Sequence, residues 1–360
     1  MYLKELKLYN FKNFEDKQLI FDQKINCLVG DNGVGKTNIL DAIFFLAFGK
    51  SYFNNNIRQI IRFEQPSFSI KGIFDFSNKT EQIQISYQID KKKVIKRNQK
   101  IYDRISEHIG LIPLVMISPY DRDLISEHGE TRRKFIDRII SQTDAGYLNQ
   151  LISYQKVLSQ RNKLLKYFAA NHRFDHQTLQ IYNEQLHQYG TAIHSKRKKF
   201  IEYFSKYLKE KYAQLSNQKE AVDITYYSEL SIKPLLDLLN ENIQKDRILQ
   251  HTSKGIHRDD FLFEINKKPI KKFGSQGQQK SYLIALKLAE FEFLKKESQK
   301  IPILLFDDIF DKLDESRVRK IIEMVNDKNF GQIFISDTHT ERTENLVKNI
   351  HQSFKIFIIQ

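Results

Sequence analysis

The spacing of apolar residues changes period several times along this chain, and each change predicts a different element. At the start, Leu3-Lys-Glu-Leu-Lys-Leu-Tyr-Asn-Phe11 alternates in part, and Gln18-Leu-Ile-Phe21 offers a second short run, so two strands are expected. A third run, Ile25-Asn-Cys-Leu-Val29, is apolar and leads directly into Gly30. Beyond it Ile39, Leu40, Ile43, Phe44, Leu46 and Ala47 recur at helical spacing, so a helix opens at Lys36 and Thr37. From 68 to 102 the period falls to two: Phe68, Ile70, Gly72, Phe74 and Phe76, then Ile83, Ile85, Tyr87 and Ile89, with a turn near Asp90 and Lys91. Antiparallel strands on one edge of the first domain are the expectation.

From about 120 to 250 the texture is helical. No glycine occurs between Gly146 and Gly190 or between Gly190 and Gly255, and Leu148, Leu151, Ile152, Leu158, Leu164, Leu165 and Phe168 carry long amphipathic patterns. No heptad run is long enough for an extended coiled coil, and no internal repeat stands out. Strand alternation returns at Phe261, Phe263 and Ile265, and a polar, glycine-containing loop, Lys272-Phe-Gly-Ser-Gln-Gly-Gln-Gln-Lys-Ser281, precedes another helix.

At 360 residues the chain has room for about two domains. Its charge of +14 and pI near 9.4 favour a polyanionic partner, with nucleic acid ahead of an anionic membrane surface or a bland lysine-rich exterior. A single cysteine, Cys27, excludes an intrachain disulfide and a cysteine-based zinc site. With no secretory leader pattern and no apolar run of about 18 residues, a cytoplasmic protein without a membrane span is expected.

Two distant segments carry the chemistry. Gly30-Asp31-Asn32-Gly33-Val34-Gly35-Lys36-Thr37 fits G-x-x-x-x-G-K-T, in which backbone N–H groups curl around phosphates, lysine reaches the outer phosphates and threonine meets magnesium. The strand, loop and helix context puts those phosphates at a helix N-terminus. More than two hundred residues later, Ile303-Leu-Leu-Phe-Asp307-Asp308 is a buried-strand pattern ending in two carboxylates, suited to ordering the same cation. The gap implies a large insertion. The loop before 281 is a second anion site by the same dipole argument, which points to ATP shared with another subunit.

These motifs together resemble an ABC-type ATPase head, and their order resembles the RecF family of bacterial recombination proteins. Leu8-Tyr-Asn-Phe-Lys-Asn-Phe14, Ile117-Ser-Pro-Tyr120, Arg132-Arg-Lys-Phe-Ile-Asp137, Gly255-Ile-His-Arg-Asp-Asp260 and Pro302 through Asp314 carry that likeness. It implies an α/β fold, a P-loop NTPase of ABC-ATPase head type with an antiparallel β subdomain and an inserted α-helical arm. The head would comprise 1–118 and 250–360, and the arm 119–249. It further implies ATP and Mg2+ as cofactors, and an ATP-bound homodimer binding double- and single-stranded DNA at gaps in replication, recombination and damage (SOS) repair. RecR with RecO are the implied partners in loading RecA, and weak, DNA-stimulated hydrolysis would reset the dimer. Residue by residue, Gly33, Gly35, Lys36, Thr37 and Asn38 would bind phosphates and magnesium, and Lys12 would lie near the phosphates. Asp307 would order the metal and Asp308 would activate water. Ser275, Gln276, Gly277 and Gln278 would meet the γ-phosphate in trans, and Asp314 would sit at the dimer seam.

The chain also departs from the family pattern. Asp308 stands where transporter ATPases have Glu, one methylene longer, which suits a slow switch. No glutamine near Ser118-Pro-Tyr120 matches the one other heads place by magnesium, Ser336-Asp337 replaces an expected Thr-His with His339 two residues on, and Phe53 replaces a frequent Arg. Several charged groups have two readings. The cluster of Lys91, Lys92, Lys93, Lys96, Arg97 and Lys100, and the run Lys196-Arg-Lys-Lys199, are either solvated faces or DNA contacts. His257 to Asp260 form either a structural cluster or a ligand contact; Arg132 and Arg133 are surface charges or partners; Ser275 is also a ready helix N-cap. A scaffold with negligible hydrolysis and a transporter-coupling ATPase are the rival functions.

Overall fold

The computed structural model describes residues 1–76, 79–216, 220–308, 330–339, 341, 343–344 and 353–360. Asp314 therefore lies outside the described residues. The chain divides into two compact units, 1–121 with 290–360, and 122–289.

The first unit begins with β1 (Tyr2–Phe11), β2 (Phe14–Ile20), β3 (Ile25–Val29) and α1 (Lys36–Phe48). It continues through β4 (Ser67–Asp75), β5 (Thr80–Gln88), β6 (Val94–Arg97), β7 (Lys100–Ile101) and β8 (Leu114–Ile117). The second unit holds α2 (Asp123–Ser126), α3 (Gly129–Thr143), α4 (Ala145–Ala170), α5 (His176–Ser216), β9 (Val222–Tyr227), α6 (Leu235–Glu241), α7 (Ile243–Leu249), β10 (Asp260–Ile265), β11 (Lys268–Pro269) and α8 (Ile270–Phe273). The unit boundary falls inside α9 (Gln276–Ser298). The first unit is then completed by β12 (Ile303–Phe306), β13 (Ile333–Asp337) and β14 (Phe354–Ile358).

Two sheets build the first unit. The order β2-β1-β4-β5-β6-β7 is antiparallel throughout, and its alternation buries Leu6, Leu8, Ile70, Phe74, Ile83 and Ile85 on one face. Asp90 makes its expected turn with φ +64, and Asn98 and Gln99 make a second with φ +47 and +68. The order β14-β3-β13-β12-β8 is parallel throughout, and β3, β8, β12 and β13 are buried along their whole length, as parallel strands covered on both faces must be. The apolar helix α1 and both sheets share one core.

In the second unit α4 and α5, 26 and 41 residues long, pack together, and α5 spans roughly 60 Å at 1.5 Å per residue. Gly190 inside α5 has a packing reason: a Cβ there would stand 2.5 Å from Leu235 and 3.3 Å from Tyr154. The unit ends forty residues beyond the expected boundary at 249, because β10 pairs with β9 in register from Asp260↔Tyr227 to Ile265↔Val222. That pairing holds 250–289 to the arm.

The run 196–199 is not one solvated face. Lys196 reaches Asp144, whereas Arg197 is 1% exposed and bonds Asp137, Asp259 and the Ile256 carbonyl. His257 accepts from Tyr154 at Nδ1 and donates from Nε2 to the Thr252 carbonyl, and burial pushes its pKa down to about 4. Arg132 forks onto Asp260 through two 2.8 Å bonds, and Arg133 donates to the Asp259 carbonyl. Arg97 likewise leaves the basic cluster for Glu81, and Lys93 turns inward onto the Gly49 carbonyl.

Candidate nucleotide site

The site lies at the carboxyl ends of parallel strands, where open α/β sheets bind ligands. β3 delivers the loop from Gly30 to Gly35, and α1 opens at Lys36. Gly30 has φ +151, and a Cβ there would lie 2.3 Å from the Ile359 carbonyl oxygen, so only glycine lets β14's end pass so close. Gly35 has φ +108, and its Cβ would meet Asn13 at 2.5 Å. Asp31, Asn32 and Gly33 form the exposed rim, while Val34, Thr37 and Asn38 are half-buried. The Lys36 ammonium is folded back over the loop, 2.7 Å from the Gly30 carbonyl and 2.8 Å from that of Asp31.

β12 delivers the carboxylates. Asp307, 3% exposed, accepts from Thr37 Oγ1 at 2.7 Å and from Ser336 Oγ at 3.0 Å on Oδ1, and from Ser118 Oγ at 3.3 Å on Oδ2. Its described side-chain partners are hydroxyls, and burial raises its pKa, with Asp308 adding to the rise and the hydroxyls opposing it. A buried carboxylate among hydroxyls is an oxygen-donor setting that fits Mg2+, which takes one or two carboxylates and completes its shell with water and substrate phosphate. Among the described residues no group of three or more His, Cys, Asp or Glu could hold a metal. Asp308 sits in left-handed backbone, φ +45, with its N–H donated to Ser336 Oγ at 2.9 Å. Strained residues of this kind gather at functional sites.

Three contributors escape motif reading. Asn13 donates to the Val34 carbonyl and accepts from Asn38, bracing the loop. Ser118 fills the region where the resemblance implies glutamine, and Ser336, not the exposed His339, touches both Asp307 and Asp308. Asp337 is instead satisfied by Thr343. Lys12 has its ammonium 2.6 Å from Asp41 and 5.5 Å from the Phe53 ring centre, so Asp41, buried on α1, holds the cation beside this end of the unit.

Ser275, Gln276, Gly277 and Gln278 belong to the other compact unit. Ser275 is a capping box: its Oγ accepts from the Gln278 N–H, and its own N–H donates to Gln278 Oε1 at 2.7 Å. Ser275 and Gln276 are exposed at the start of α9.

A sequence model of the RecF/RecN/SMC N-terminal domain matches residues 2–358. The DNA replication and repair protein RecF of Flavobacterium johnsoniae is 60% identical over 357 residues, 99% of each chain. The chain belongs to the RecF family. The RecF of Parabacteroides distasonis is 44% identical, over 100% of this chain and 98% of its own. Among solved structures, the recombination mediator RecF with ATP, in the RecFOR pathway, is 31% identical with a TM-score of 0.87, covering 94% of this chain and 92% of that one. An Smc head bound to the C-winged helix domain of ScpA, 16% identical at TM-score 0.57 over 96% and 92%, shares the fold. The RecF-family fold is thus the ABC-type ATPase head expected from the motifs. No helix among the described residues is long and apolar enough to cross a membrane.

Proposed function

We propose that this RecF-family chain is an ATP-gated DNA-binding protein of recombinational repair and replication maintenance. Two copies close on two ATP molecules, hold DNA at single-strand/double-strand junctions and gaps, and reopen on slow hydrolysis. The observation that carries this is the 2.7 Å contact between Thr37 and Asp307, which joins the two halves of a nucleotide site across 270 positions. Relatives solved with ATP support the ligand.

In this reading the loop N–H groups from Asp31 to Gly35 and the amide ends of α1 cradle the phosphates. Lys36 leaves its loop carbonyls for the outer phosphate, Asn13 keeps Val34 and Asn38 in place, and Lys12 adds positive charge nearby. Thr37 and Asp307 would hold Mg2+, which when bound supplies charge neutralisation on the phosphate oxygens. Asp308 orients the attacking water and accepts its proton. Its short side chain holds that water less closely than Glu would, in keeping with weak, DNA-stimulated turnover. Ser275 through Gln278 contact the γ-phosphate held by the second copy, so ATP bridges the dimer. RecR, acting with RecO, is the proposed protein partner, and DNA binding weakens with salt by about 0.9 log units per log unit of salt for each phosphate contacted.

Sedimentation of wild type and Ser275→Arg, each with and without ATP and Mg2+, tests this. Wild type should dimerise only with ATP, while the variant binds nucleotide yet stays monomeric. A wild type that remains monomeric with ATP bound rejects the sandwich. Asp308→Asn separates the switch from a scaffold with negligible hydrolysis: it should lengthen the life of the closed, DNA-bound dimer, and an unchanged lifetime favours the scaffold.

A further inference from the structure

A short turn in the first unit holds an aromatic ring out in water. Ile61 is buried and bridged to Phe11, yet Phe63, two residues on, is 84% exposed. The turn is pinned on both sides. The Arg62 N–H donates to the Asn10 carbonyl at 2.9 Å, the Gln65 N–H to the Arg62 carbonyl at 3.1 Å, and the Ile89 N–H to the Pro66 carbonyl at 3.0 Å, while Glu64 takes a left-handed φ of +61. So fixed a backbone limits how far Phe63 can fold away. Beside it lies an open groove of about 740 Å3 whose lining includes Arg58, Arg62, Phe63, Gln65, Pro66 and Ile89.

The charges around this groove are exchangeable. Arg58 reaches Asp90 at 2.6 Å and Arg62 reaches Glu15 at 3.1 Å, but all four side chains are at least a third exposed, and such surface pairs are worth about 0–1 kcal/mol. Arg58 and Arg62 line the groove with Glu64, their partners Asp90 and Glu15 are exposed, and the exposed Lys91 and Lys92 follow Asp90 in a chain of charge +14. A protruding ring flanked by guanidinium groups is the arrangement that takes unpaired bases on its face and phosphates at its sides.

We infer that this turn is a stacking station for single-stranded DNA, with Phe63 receiving the face of an unpaired base and Arg58 and Arg62 trading their carboxylates for the flanking phosphates. The inference rests on the DNA-binding reading above and adds a site to it. Duplex DNA keeps its base faces stacked inside, so the station discriminates: it acts on the unpaired stretch of a gap and leaves duplex binding alone.

The test uses the full chain with ATP and Mg2+, a gapped duplex carrying 2-aminopurine in the gap, and the same label within a fully paired duplex. Wild type should change the fluorescence of the gap label, and Phe63→Ala should abolish that change and weaken gapped-DNA binding about fivefold to 150-fold, from about 1–3 kcal/mol per stacked base. Duplex affinity, nucleotide affinity and melting temperature should stay as in wild type, and Phe63→Trp should restore gap binding. If wild type binds both DNAs and Phe63→Ala binds them equally well, the station is rejected while the DNA-binding reading stands, and the ring is left to a protein partner. If wild type binds neither DNA, the broader reading fails and takes this site with it.

Discussion

Asp307 and Asp259 are both buried carboxylates, each 3% exposed, and they have opposite surroundings. Asp259, in the second unit, accepts from Arg197 Nη1 at 3.0 Å and from Tyr226 at 2.5 Å, while Arg197 also forks onto Asp137. Its charge is answered by the protein. Asp307, in the first unit, meets among the described residues the hydroxyls of Thr37, Ser118 and Ser336, which orient a negative charge without neutralising it. Buried charge is tolerated when paired, and an unneutralised one calls for a cation. The contrast separates a carboxylate paired within the fold from one that the proposed function assigns to a cation, and the two differ in sequence context too: Asp307 ends the apolar strand β12, whereas Asp259 follows the turn Ile256–Arg258 and precedes β10.

The largest effect expected from this contrast is on stability. Arg197→Ala leaves Asp137 and Asp259 buried without their cation, and should cost about 3–5 kcal/mol in urea unfolding of the second unit. A loss below 1 kcal/mol would mean that the network is not what fixes that unit. The same region should show a pH signature. Burial lowers the His257 pKa to about 4, below its usual value near 6.5, so the folded state takes up its proton later than the unfolded one. Stability from this group is therefore full above about 6.5 and falls as pH drops toward 4, by up to about 1.4 kcal/mol per pH unit. His194 and His108, also lowered by burial, act in the same direction. His257→Gln should flatten the slope in that window, and an unchanged slope would assign it to the other two. The smallest effect concerns Ser336→Ala, which removes one hydroxyl from Asp307 and the acceptor of the Asp308 N–H. A stability change of about 0.5–1.5 kcal/mol and a severalfold fall in ATP turnover, with nucleotide binding kept, is expected; full turnover would exclude Ser336 from the site.

What could be read beforehand followed from local chemistry. The loop from Gly30 to Gly35 and the strand before Asp307 announce themselves in consecutive residues, and period-two alternation located β4 and β5. The roles of Ser118, Ser336 and Asn13 carry no spacing signal: those of the two serines arise from pairing β8, β12 and β13 side by side, and that of Asn13 from the turn between β1 and β2 lying against the glycine loop. Arg197 was legible in principle. It stands four residues after Ile193 and four before Ile201, both buried, so helical periodicity put it on the stripe facing the core despite its lysine neighbours. The pairing of β9 with β10 across an intervening helical stretch leaves no local signal near 250.

The most direct test of the contrast is titration of ATP into wild type and Asp307→Asn, with and without Mg2+, together with the melting temperature of each free protein. Wild type should gain affinity when Mg2+ is present, and Asp307→Asn should lose that gain, on the order of a hundredfold, while melting no lower than wild type because a buried, unneutralised charge has been removed. A variant that keeps the Mg2+ dependence, or that melts many degrees lower in the absence of nucleotide, would show that Asp307 is a structural carboxylate like Asp259 and would contradict the account.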